Sequence, residues 1–434
     1  MFHSDSLGGW LSHLEAQHPR GQSGIELGLE RVAHVLKAMG LSSRLPFPVI
    51  TVAGTNGKGS SVAMLESVLT AAGHRVGTYT SPHLLRYNER VHLDASPVED
   101  ETLIRAFERV EAARGATPLT YFEFGTLAAL VVFVEAGVDA AILEVGLGGR
   151  LDAVNAVDAD AALITHVALD HVEWLGEDRE MIGFEKAGVF RPGQVAVIAE
   201  AEPPRSVLEH ARTLGLAPFR RGEWFQVGQA GDHWTWSSPD HTLTLPLPAL
   251  AGAHQLDNAA GVIMLLEGLR SRLAWNEGHL REGLRAVRHP GRLQCIRQDG
   301  VPVWIDVAHN PAGVEALSHA MAAMPHEGRT LAVFAALADK DALGMARQLA
   351  GQVDRWYVAG LEGPRGRTGE ALAEKLQSGG LPVAGSWAHP RLAYNAALAN
   401  ARAQDRLLVF GSFLCVADIL EHVQSLSAQT SGSA

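Results

Sequence analysis

The sequence predicts an α/β protein with a larger N-terminal P-loop domain, built on a doubly wound, mostly parallel sheet, and a smaller Rossmann-like α/β domain at the C-terminus. Two observations support this fold class. Short apolar, β-branched segments typical of buried strands alternate along the chain with segments of helical period. The chain also has 434 residues, of which 47% are hydrophobic and 19% charged, so it is too long for one ordinary domain.

The first predicted strand and the loop after it are the most informative segment. An apolar run, Val49–Val52, leads into the loop A-G-T-N-G-K-G-S, in which glycines surround Lys58, and apolar residues then recur every three or four positions. A strand, a glycine-rich loop and a helix N-terminus form an anion site, because backbone N–H groups and the positive end of the helix dipole face the ligand. The segment therefore predicts a nucleotide-phosphate site.

The spacing of this loop differs from the common signature G-x-x-x-x-G-K-[ST], since Gly59 separates Lys58 from the hydroxyl of Ser60. A plain glycine-rich turn is the alternative interpretation. Such a turn does not need a lysine between two glycines at the start of a helix, so the phosphate site is favoured.

Further strands of the first domain are predicted at Arg75–Thr80, Ala140–Val145, Ala161–Thr165 and Val195–Ile198. In parallel sheets, ligands bind beyond the carboxyl ends of the strands. Polar residues lie at three of these ends: Ser81, Glu144 and His171.

Local sequence leaves the roles of several of these residues open. Glu144 precedes a glycine-rich loop and suits a magnesium ligand, but a solvent-facing edge glutamate is the alternative. For Asp170-His171 the local pattern favours a capping aspartate with a core histidine, because magnesium prefers oxygen ligands. For Lys186 the default is a surface salt bridge with its neighbour Glu185.

The middle and C-terminal parts of the chain predict the rest of the architecture. The segment Trp224–Leu247 predicts a small inserted β hairpin, and Arg288–Arg292 contains the proline and glycine of a domain linker. A second alternating unit follows, with its first strand predicted at Val303–Asp306. The polar residues Asp306, His309 and Asn310 lie where that strand closes. We therefore expect domains at residues 1–288 and 289–424, with a disordered tail at 425–434. The remaining C-terminal strands are predicted at Leu331–Phe334, Trp356–Val358 and Leu407–Phe410.

Composition excludes several classes of protein. Lys and Arg number 36 against 48 Asp and Glu, and a net charge of −12 argues against an extended nucleic-acid surface. Cys295 and Cys415 are the only cysteines and lie beside apolar residues, so we expect buried free thiols and no disulfide framework. The N-terminus lacks the pattern of a signal peptide, and the most apolar run, Leu127–Val134, is too short to span a membrane. We expect a cytoplasmic protein.

Eight short motifs occur in order along the chain. They are A-G-T-N-G-K-G-S, S-P-H-L, Y-F-E-F-G-T, E-V-G-L-G-G-R-L-D, A-L-D-H, E-K-A-G, H-P-G-R and D-V-A-H-N-P. In this order they resemble the motifs of the folylpolyglutamate synthase family, in the Mur ligase superfamily, and the resemblance runs from Leu27 to Phe413. They are most similar to those of the bifunctional bacterial members, which also act as dihydrofolate synthases.

The resemblance implies an ATP-dependent amide ligase. ATP would phosphorylate the carboxylate of dihydropteroate, or the terminal glutamate of a tetrahydrofolate, and the amine of L-glutamate would attack the acyl phosphate. The first step joins two anions, so it requires cations to stabilise the transferring phosphoryl group. The family implies ATP as co-substrate, two Mg²⁺ ions and a monomer that binds neither nucleic acid nor membrane.

The resemblance also implies roles for individual residues. The ATP contacts would be Gly57, Lys58, Gly59, Ser60, Asn258, Arg292 and Asp306. The magnesium ligands would be Ser81, Glu144, His171 and Lys186, which reverses the local preference for a structural His171. The pterin site would be formed by Thr120, Tyr121, Phe122, Glu123, Leu151, Asp152 and Ala153, with the segment Leu27–Arg31 closing over it.

Catalysis is implied for Lys58, Lys186 and His309, with His309 and Ser412 facing the incoming glutamate. Lys186 matches the family lysine that is carbamylated, which turns an ammonium into an anionic ligand for the second magnesium ion. Capture of carbon dioxide needs a neutral amine, so the pKa of this lysine must be lowered or the product trapped by metal.

Other functions remain as alternatives. A monofunctional folylpolyglutamate synthase would elongate existing folates without forming dihydrofolate. A cell-wall Mur ligase is disfavoured, since its phosphate loop usually places threonine directly after the lysine. A P-loop ATPase or binding module would hydrolyse ATP without ligation, but it would not need the pterin segments.

Overall fold

The computed structural model describes residues 2–17 and 25–431, and the chain divides into two compact units. The first unit comprises Met1–Ala249 and Gln255–Arg288, and the second comprises Leu250–His254 and His289–Ala434. The predicted fold class is confirmed: each unit is an α/β layer structure built on a mostly parallel sheet.

The sheet of the first unit has eight strands in the order β4-β3-β2-β5-β1-β6-β7-β8. Strands β2, β5, β1, β6, β7 and β8 are parallel, and β3 and β4 add an antiparallel edge. Every residue of β1, β5 and β6 is buried, which explains why these strands have continuous apolar sequences. The strands are β1 (Val49–Ala53), β2 (Val76–Tyr79), β3 (Val91–Leu93), β4 (Ser96–Pro97), β5 (Ala140–Glu144), β6 (Ala161–Ile164), β7 (Val195–Ile198) and β8 (Phe219–Arg220).

Helices cover this sheet, and two single 3₁₀ turns, Tyr87–Arg90 and Ala153–Ala156, join its elements. The helices are α1 (Leu7–Gln17), α2 (Glu30–Ala38), α3 (Lys58–Ala71), α4 (Asp100–Arg114), α5 (Tyr121–Ala136), α6 (Val172–Leu175), α7 (Arg179–Ala187), α8 (Arg205–Thr213), α9 (His254–Gly268) and α10 (Glu277–Ala286).

The predicted hairpin is a three-stranded antiparallel sheet, so that prediction missed one strand. Its strands are β9 (Gln226–Ala230), β10 (His233–Ser237) and β11 (Thr242–Pro246). Gly231 has a φ of 61°, which a tight turn between β9 and β10 requires. Trp234 and Trp236 are fully buried on one face of β10, which accounts for the alternating sequence W-T-W.

Close packing of α10 against α3 supports the helix that begins at Lys58. A Cβ atom added to Gly283 would lie 2.6 Å from the Cα of Val68, so the glycine permits this approach. The hydroxyl of Ser67 also donates a hydrogen bond to the carbonyl oxygen of Gly283, at 2.8 Å.

We expect Gly283→Ala to lower the free energy of unfolding by about 1–3 kcal/mol, because the added methyl group forces the two helices apart. Thermal and denaturant unfolding measure the change. Gly8→Ala in α1 is the matched control, since no atom lies within 4 Å of a Cβ at that position. Equal stability of the two variants would contradict the packing argument.

The second unit contains a six-stranded sheet in the order β12-β13-β17-β14-β15-β16, in which only the edge strand β12 is antiparallel to its neighbour. The strands are β12 (Gln294–Gln298), β13 (Val301–Ile305), β14 (Thr330–Phe334), β15 (Arg355–Ala359), β16 (Val383–Trp387) and β17 (Arg406–Phe410). The helices are α11 (Pro311–Ala322), α12 (Ala342–Gln348), α13 (Gly369–Ser378), α14 (Pro390–Asn400) and α15 (Phe413–Ser431).

Two expectations for this unit differ from the structure. Cys295 is exposed because it lies on the edge strand β12, whereas Cys415 is buried as expected. Helix α15 continues to Ser431, so residues 425–431 of the predicted disordered tail are helical; the sequence contains neither glycine nor proline between Ser412 and Ser431 to end the helix earlier. Residues 432–434 lie outside the described part of the chain.

None of the described helices combines the length and the apolar character needed to cross a membrane.

Candidate active site

The predicted site residues of the first unit lie beyond the same edge of four neighbouring strands. Strands β2, β5, β1 and β6 are adjacent and parallel, so their carboxyl ends point the same way. Ser81 follows β2, Glu144 ends β5, the glycine loop follows β1, and the segment to His171 follows β6. This edge is where open α/β sheets bind their ligands.

The glycine loop has the backbone conformation of an anion site. Gly57 has a φ of 91° and directly precedes α3, whose first residue is Lys58. The first N–H groups of a helix have no partner within it, so they face outward here. The ammonium group of Lys58 donates a hydrogen bond to the carbonyl oxygen of Thr55, at 3.2 Å, which holds the charge across the loop.

Asn258 of α9, which is predicted to contact ATP, lies next to this loop. A Cβ atom at Gly57 would lie 2.4 Å from its Oδ1 atom. The amide nitrogen of Asn258 donates to Gln255 Oε1 at 3.0 Å, and Gln255 Nε2 donates to the hydroxyl of Ser60 at 3.3 Å. Gln255 was missed in the sequence, although its position one turn before Asn258 on the same helix face was a usable signal.

We expect Gly57→Ala to raise KM for ATP about tenfold or more, because the methyl group clashes with Asn258 and a positive φ is strained for alanine. Steady-state kinetics with varied ATP measure the effect. Gly73→Ala is the matched control: Gly73 has a φ of 85°, but a Cβ there meets no atom within 4 Å. If KM for ATP rises equally in Gly57→Ala and Gly73→Ala, then the strain of a positive φ is responsible and the clash with Asn258 is not.

Ser81 and Glu144 form the part of the site best suited to a divalent cation. The side chain of Glu144 accepts a hydrogen bond from the backbone N–H of Ser81, at 3.2 Å, and Glu144 is only 5% exposed. The alternative of a solvent-facing edge glutamate is therefore wrong. A carboxylate beside a hydroxyl supplies the hard oxygen donors that magnesium prefers, so these two residues fit the ion.

His171 is not a core histidine, since its side chain is 30% exposed. It has a φ of 50°, and its backbone N–H donates to Asp170 Oδ1 at 2.9 Å. Within residues 2–17 and 25–431, no three His, Cys, Asp or Glu side chains are grouped so that they could hold a metal ion. The magnesium role of His171 therefore stays a prediction.

Lys186 is buried, in contrast to the surface salt bridge that its neighbours suggest. Its side chain donates to the carbonyl oxygen of Gly54 at 2.9 Å, and the residue is 3% exposed. Glu185 instead accepts a hydrogen bond from Arg150, at 2.9 Å. Burial and, to a lesser extent, the charge of Lys58 together lower the pKa of Lys186 to about 7, although Asp170 and Asp152 oppose the shift.

The three predicted pterin segments come together beside this edge. Glu123 connects two of these segments. Its Oε2 atom accepts a hydrogen bond from the backbone N–H of Thr120 at 2.7 Å, and its Oε1 atom accepts one from Arg31 at 2.8 Å. The backbone N–H of Gly28 donates to the carbonyl oxygen of Leu151 at 3.3 Å. The segment Leu27–Arg31 therefore contacts the other two segments.

The loop after β5 carries a buried carboxyl group and packs against an aromatic ring. Asp152 accepts backbone hydrogen bonds from Leu147 and Val154, at 2.8 and 3.1 Å, while burial raises its pKa to about 7. A Cβ atom at Gly146 would lie 2.6 Å from the ring of Phe122. Phe122 thus lies directly over the glycine-rich loop.

In the second unit, the predicted residues lie beyond the carboxyl ends of the neighbouring strands β13 and β17. Asp306 accepts hydrogen bonds from the backbone of Leu293 and Ala308, and burial raises its pKa while nearby Arg292 lowers it. The guanidinium carbon of Arg292 lies 5.6 Å from the centre of the Phe413 ring.

The two residues predicted to face glutamate belong to the same region of this unit. The ring of His309 lies 5.7 Å from the ring of Phe413, and Ser412 directly precedes that phenylalanine. Ser412 is buried, and its hydroxyl accepts a hydrogen bond from the backbone N–H of Cys415 at 3.0 Å.

Two protein-family models match the chain, one in each unit. The model of the Mur ligase middle domain matches residues 52–266, and that of the Mur ligase glutamate ligase domain matches residues 291–413. The dihydrofolate synthase/folylpolyglutamate synthase of Escherichia coli (strain K12) is 45% identical over 420 residues, which cover 96% of each chain. The chain belongs to the dihydrofolate synthase/folylpolyglutamate synthase family.

Solved structures of this family agree with the fold along the chain. Escherichia coli FolC in complex with DHPP and ADP matches with a TM-score of 0.91 and 44% identity, covering 98% of this chain and all of that one. A bifunctional folylpolyglutamate synthase/dihydrofolate synthase with Mn, AMPPNP and L-glutamate bound matches with a TM-score of 0.88 and 43% identity, over 97% and 98% of the two chains.

Proposed function

We propose that this protein is an ATP-dependent ligase that joins L-glutamate to dihydropteroate, giving dihydrofolate, and adds further glutamates to tetrahydrofolate. The observation that carries the proposal is the common strand edge of the first unit. There a phosphate loop, an oxygen-donor pair and a buried lysine adjoin the pterin segments. Membership in the dihydrofolate synthase/folylpolyglutamate synthase family supports the same activity.

Phosphoryl transfer to the acceptor carboxylate brings two anions together, and the loop supplies what this step needs. The N–H groups at the start of α3 and the ammonium group of Lys58 would bind the ATP phosphates, and Gly57, Gly59 and Ser60 would let them approach the backbone. Asn258 adjoins the same loop. The product of this step is an acyl phosphate, which the amine of L-glutamate attacks with release of phosphate.

Two Mg²⁺ ions would be held by Ser81, Glu144, His171 and a carbamylated Lys186, and they would supply positive charge next to the transferring phosphoryl group. The relative with manganese and AMPPNP bound supports the use of a divalent ion. Hydrogen bonds within the protein position two of these side chains. Glu144 accepts from the backbone N–H of Ser81, and Lys186 donates to the carbonyl oxygen of Gly54.

The acceptor and the amino acid would bind to different parts of the chain. The pterin ring would lie against Phe122, with polar contacts from Thr120, Asp152 and the backbone of Leu151 and Ala153. In the second unit, Arg292 and Asp306 would contact ATP, and His309 and Ser412 would face L-glutamate. In this proposal residues 1–288 bind ATP and pterin and residues 289–424 form the glutamate-ligase domain of a monomer.

Incubation of the purified protein with dihydropteroate, L-glutamate and Mg-ATP tests the proposal. We expect dihydrofolate and one phosphate released for each amide formed, and longer polyglutamates with tetrahydrofolate as acceptor. If the protein elongates folates but forms no dihydrofolate from dihydropteroate, it is a monofunctional synthase. Phosphate release that is independent of pteridine and glutamate would leave an ATPase and would refute the ligase.

A further inference from the structure

A buried arginine, Arg90, lies beside the first residue of α5. It is 8% exposed, and its Nε atom donates to His83 Nδ1 at 2.8 Å. The guanidinium carbon lies 5.3 Å from the ring centre of Tyr87 and 5.4 Å from that of Tyr121. Among residues 2–17 and 25–431, no carboxylate forms an ion pair with Arg90. Buried guanidinium groups are normally paired, so this charge points to an anionic ligand.

The carboxylates near Arg90 in sequence are engaged elsewhere. Glu89 accepts backbone hydrogen bonds from Leu84, Leu85 and Arg86, at 2.7 to 2.8 Å. Asp100 accepts from Arg86 and Asn88, at 3.0 and 2.8 Å.

His83 does not neutralise the arginine either. Its Nδ1 atom accepts the hydrogen bond from Arg90, which requires a neutral ring with its proton on Nε2. A neutral imidazole carries no charge, so this hydrogen bond does not offset the positive charge of Arg90.

Three tyrosine hydroxyls near Arg90, those of Tyr79, Tyr87 and Tyr121, also lack hydrogen-bond partners among the described residues. Tyr87 and Tyr121 are buried, and neither hydroxyl has a hydrogen-bond partner among the described residues. The rings of Tyr87 and Tyr121 lie 5.8 Å apart, centre to centre, and they lie 5.3 and 5.4 Å from the guanidinium carbon of Arg90. Gly125 leaves room for them, since a Cβ there would lie 2.4 Å from the Tyr87 hydroxyl. A guanidinium with phenolic O–H donors is a donor set suited to a carboxylate.

This cluster adjoins both halves of the acceptor side. Tyr121 is the first residue of α5 and belongs to the proposed pterin segment. The carbonyl oxygen of Arg90 accepts a hydrogen bond from the backbone N–H of Thr80, at 2.9 Å, directly before Ser81. A pterin-containing acid that reaches from the pterin segment toward Ser81 would bring its carboxylate near Arg90.

We propose that Arg90, with the hydroxyls of Tyr87 and Tyr121, binds a carboxylate of the pterin-containing acceptor. The inference rests on the proposed function and assigns residues that select acceptors carrying an acid group. Neutral pterins would lose this contact.

Binding of two ligands in the presence of ADP tests the proposal: dihydropteroate, and the same molecule with hydrogen in place of the carboxylate. We expect the wild-type protein to prefer the acid by about ten- to a hundredfold, the range for a hydrogen bond to a charged group. Arg90→Gln should lose most of this preference, and the hydroxyls of Tyr87 and Tyr121 account for part of what remains. Arg86→Gln, an exposed arginine of the same segment, is the matched control and should keep the preference.

Two outcomes would overturn the proposal. In the first, Arg90→Gln lowers the affinity for both ligands by the same factor, as loss of a purely structural arginine would. In the second, Arg90→Gln keeps the full preference for the acid. If that variant does not fold, Tyr87→Phe decides, because it keeps the ring and should lose about three- to tenfold of the preference. Failure of the proposed function is distinguishable, since the wild type would then form no dihydrofolate, whereas a ligating wild type without acid preference contradicts Arg90 alone.

Discussion

Lys58→Ala is expected to lower kcat/KM for glutamate ligation by about a hundred- to a thousandfold, with dihydropteroate and with tetrahydrofolate alike. The ammonium group is the full positive charge of the phosphate loop and is held across it by the carbonyl oxygen of Thr55. The loss should appear mainly in kcat, because charge on the transferring phosphoryl group is spread over more oxygens in the transition state. Steady-state rates with separately varied ATP and acceptor measure both parameters.

Lys37→Ala is the matched control for this prediction. Lys37 is an exposed lysine of α2 in the same unit, so its loss removes equal charge at a distance from the loop. We expect unchanged kinetics and a similar unfolding temperature. Undiminished ligation by Lys58→Ala would overturn the assignment of the phosphate loop, and an equal loss in Lys37→Ala would show that net charge alone is responsible.

The central strands of both sheets were predictable from the sequence, but the edge strands were not. Strand β7 was predicted with its observed bounds, because a strand buried between helices is a continuous apolar run. The short strands β4 and β8, and the edge strands β12 and β16, carry exposed or half-buried residues. Their strand character depends on the neighbour with which they pair, which no local pattern records.

The candidate site shows the same division between local and tertiary information. The phosphate loop was predictable because glycines, lysine and helix start are adjacent in sequence. Lys186 was assigned the wrong partner by local sequence, since its burial comes from contact with Gly54, 132 positions away. Gln255 gave only an indirect signal, its position one turn before Asn258, and Arg90 gave none, because their contacts are made with side chains of other elements.

Lys186→Ala is expected to lower the ligation rate by about a hundredfold, as loss of a group that holds or orients a metal does. Lys186→Arg separates two explanations, because arginine keeps the positive charge but cannot capture carbon dioxide. An inactive arginine variant supports the carbamate, and an active one shows that charge is enough. Acetate or propionate should restore part of the activity of Lys186→Ala, since a small carboxylate replaces the lost anion.

The carbamate itself is expected in ¹³C NMR spectra of the protein with labelled bicarbonate, as a signal that Lys186→Arg lacks. Its pH dependence follows from the pKa of Lys186, which burial lowers from 10.5 to about 7. The amine is protonated below that pKa and neutral above it, so at fixed dissolved carbon dioxide the occupancy should rise between pH 6 and 8. An ordinary lysine would need a pH near 10 for the same rise. A wild-type protein that ligates at full rate with no carbamate signal would refute the modification, and the buried amine would then act as a plain hydrogen-bond donor to Gly54.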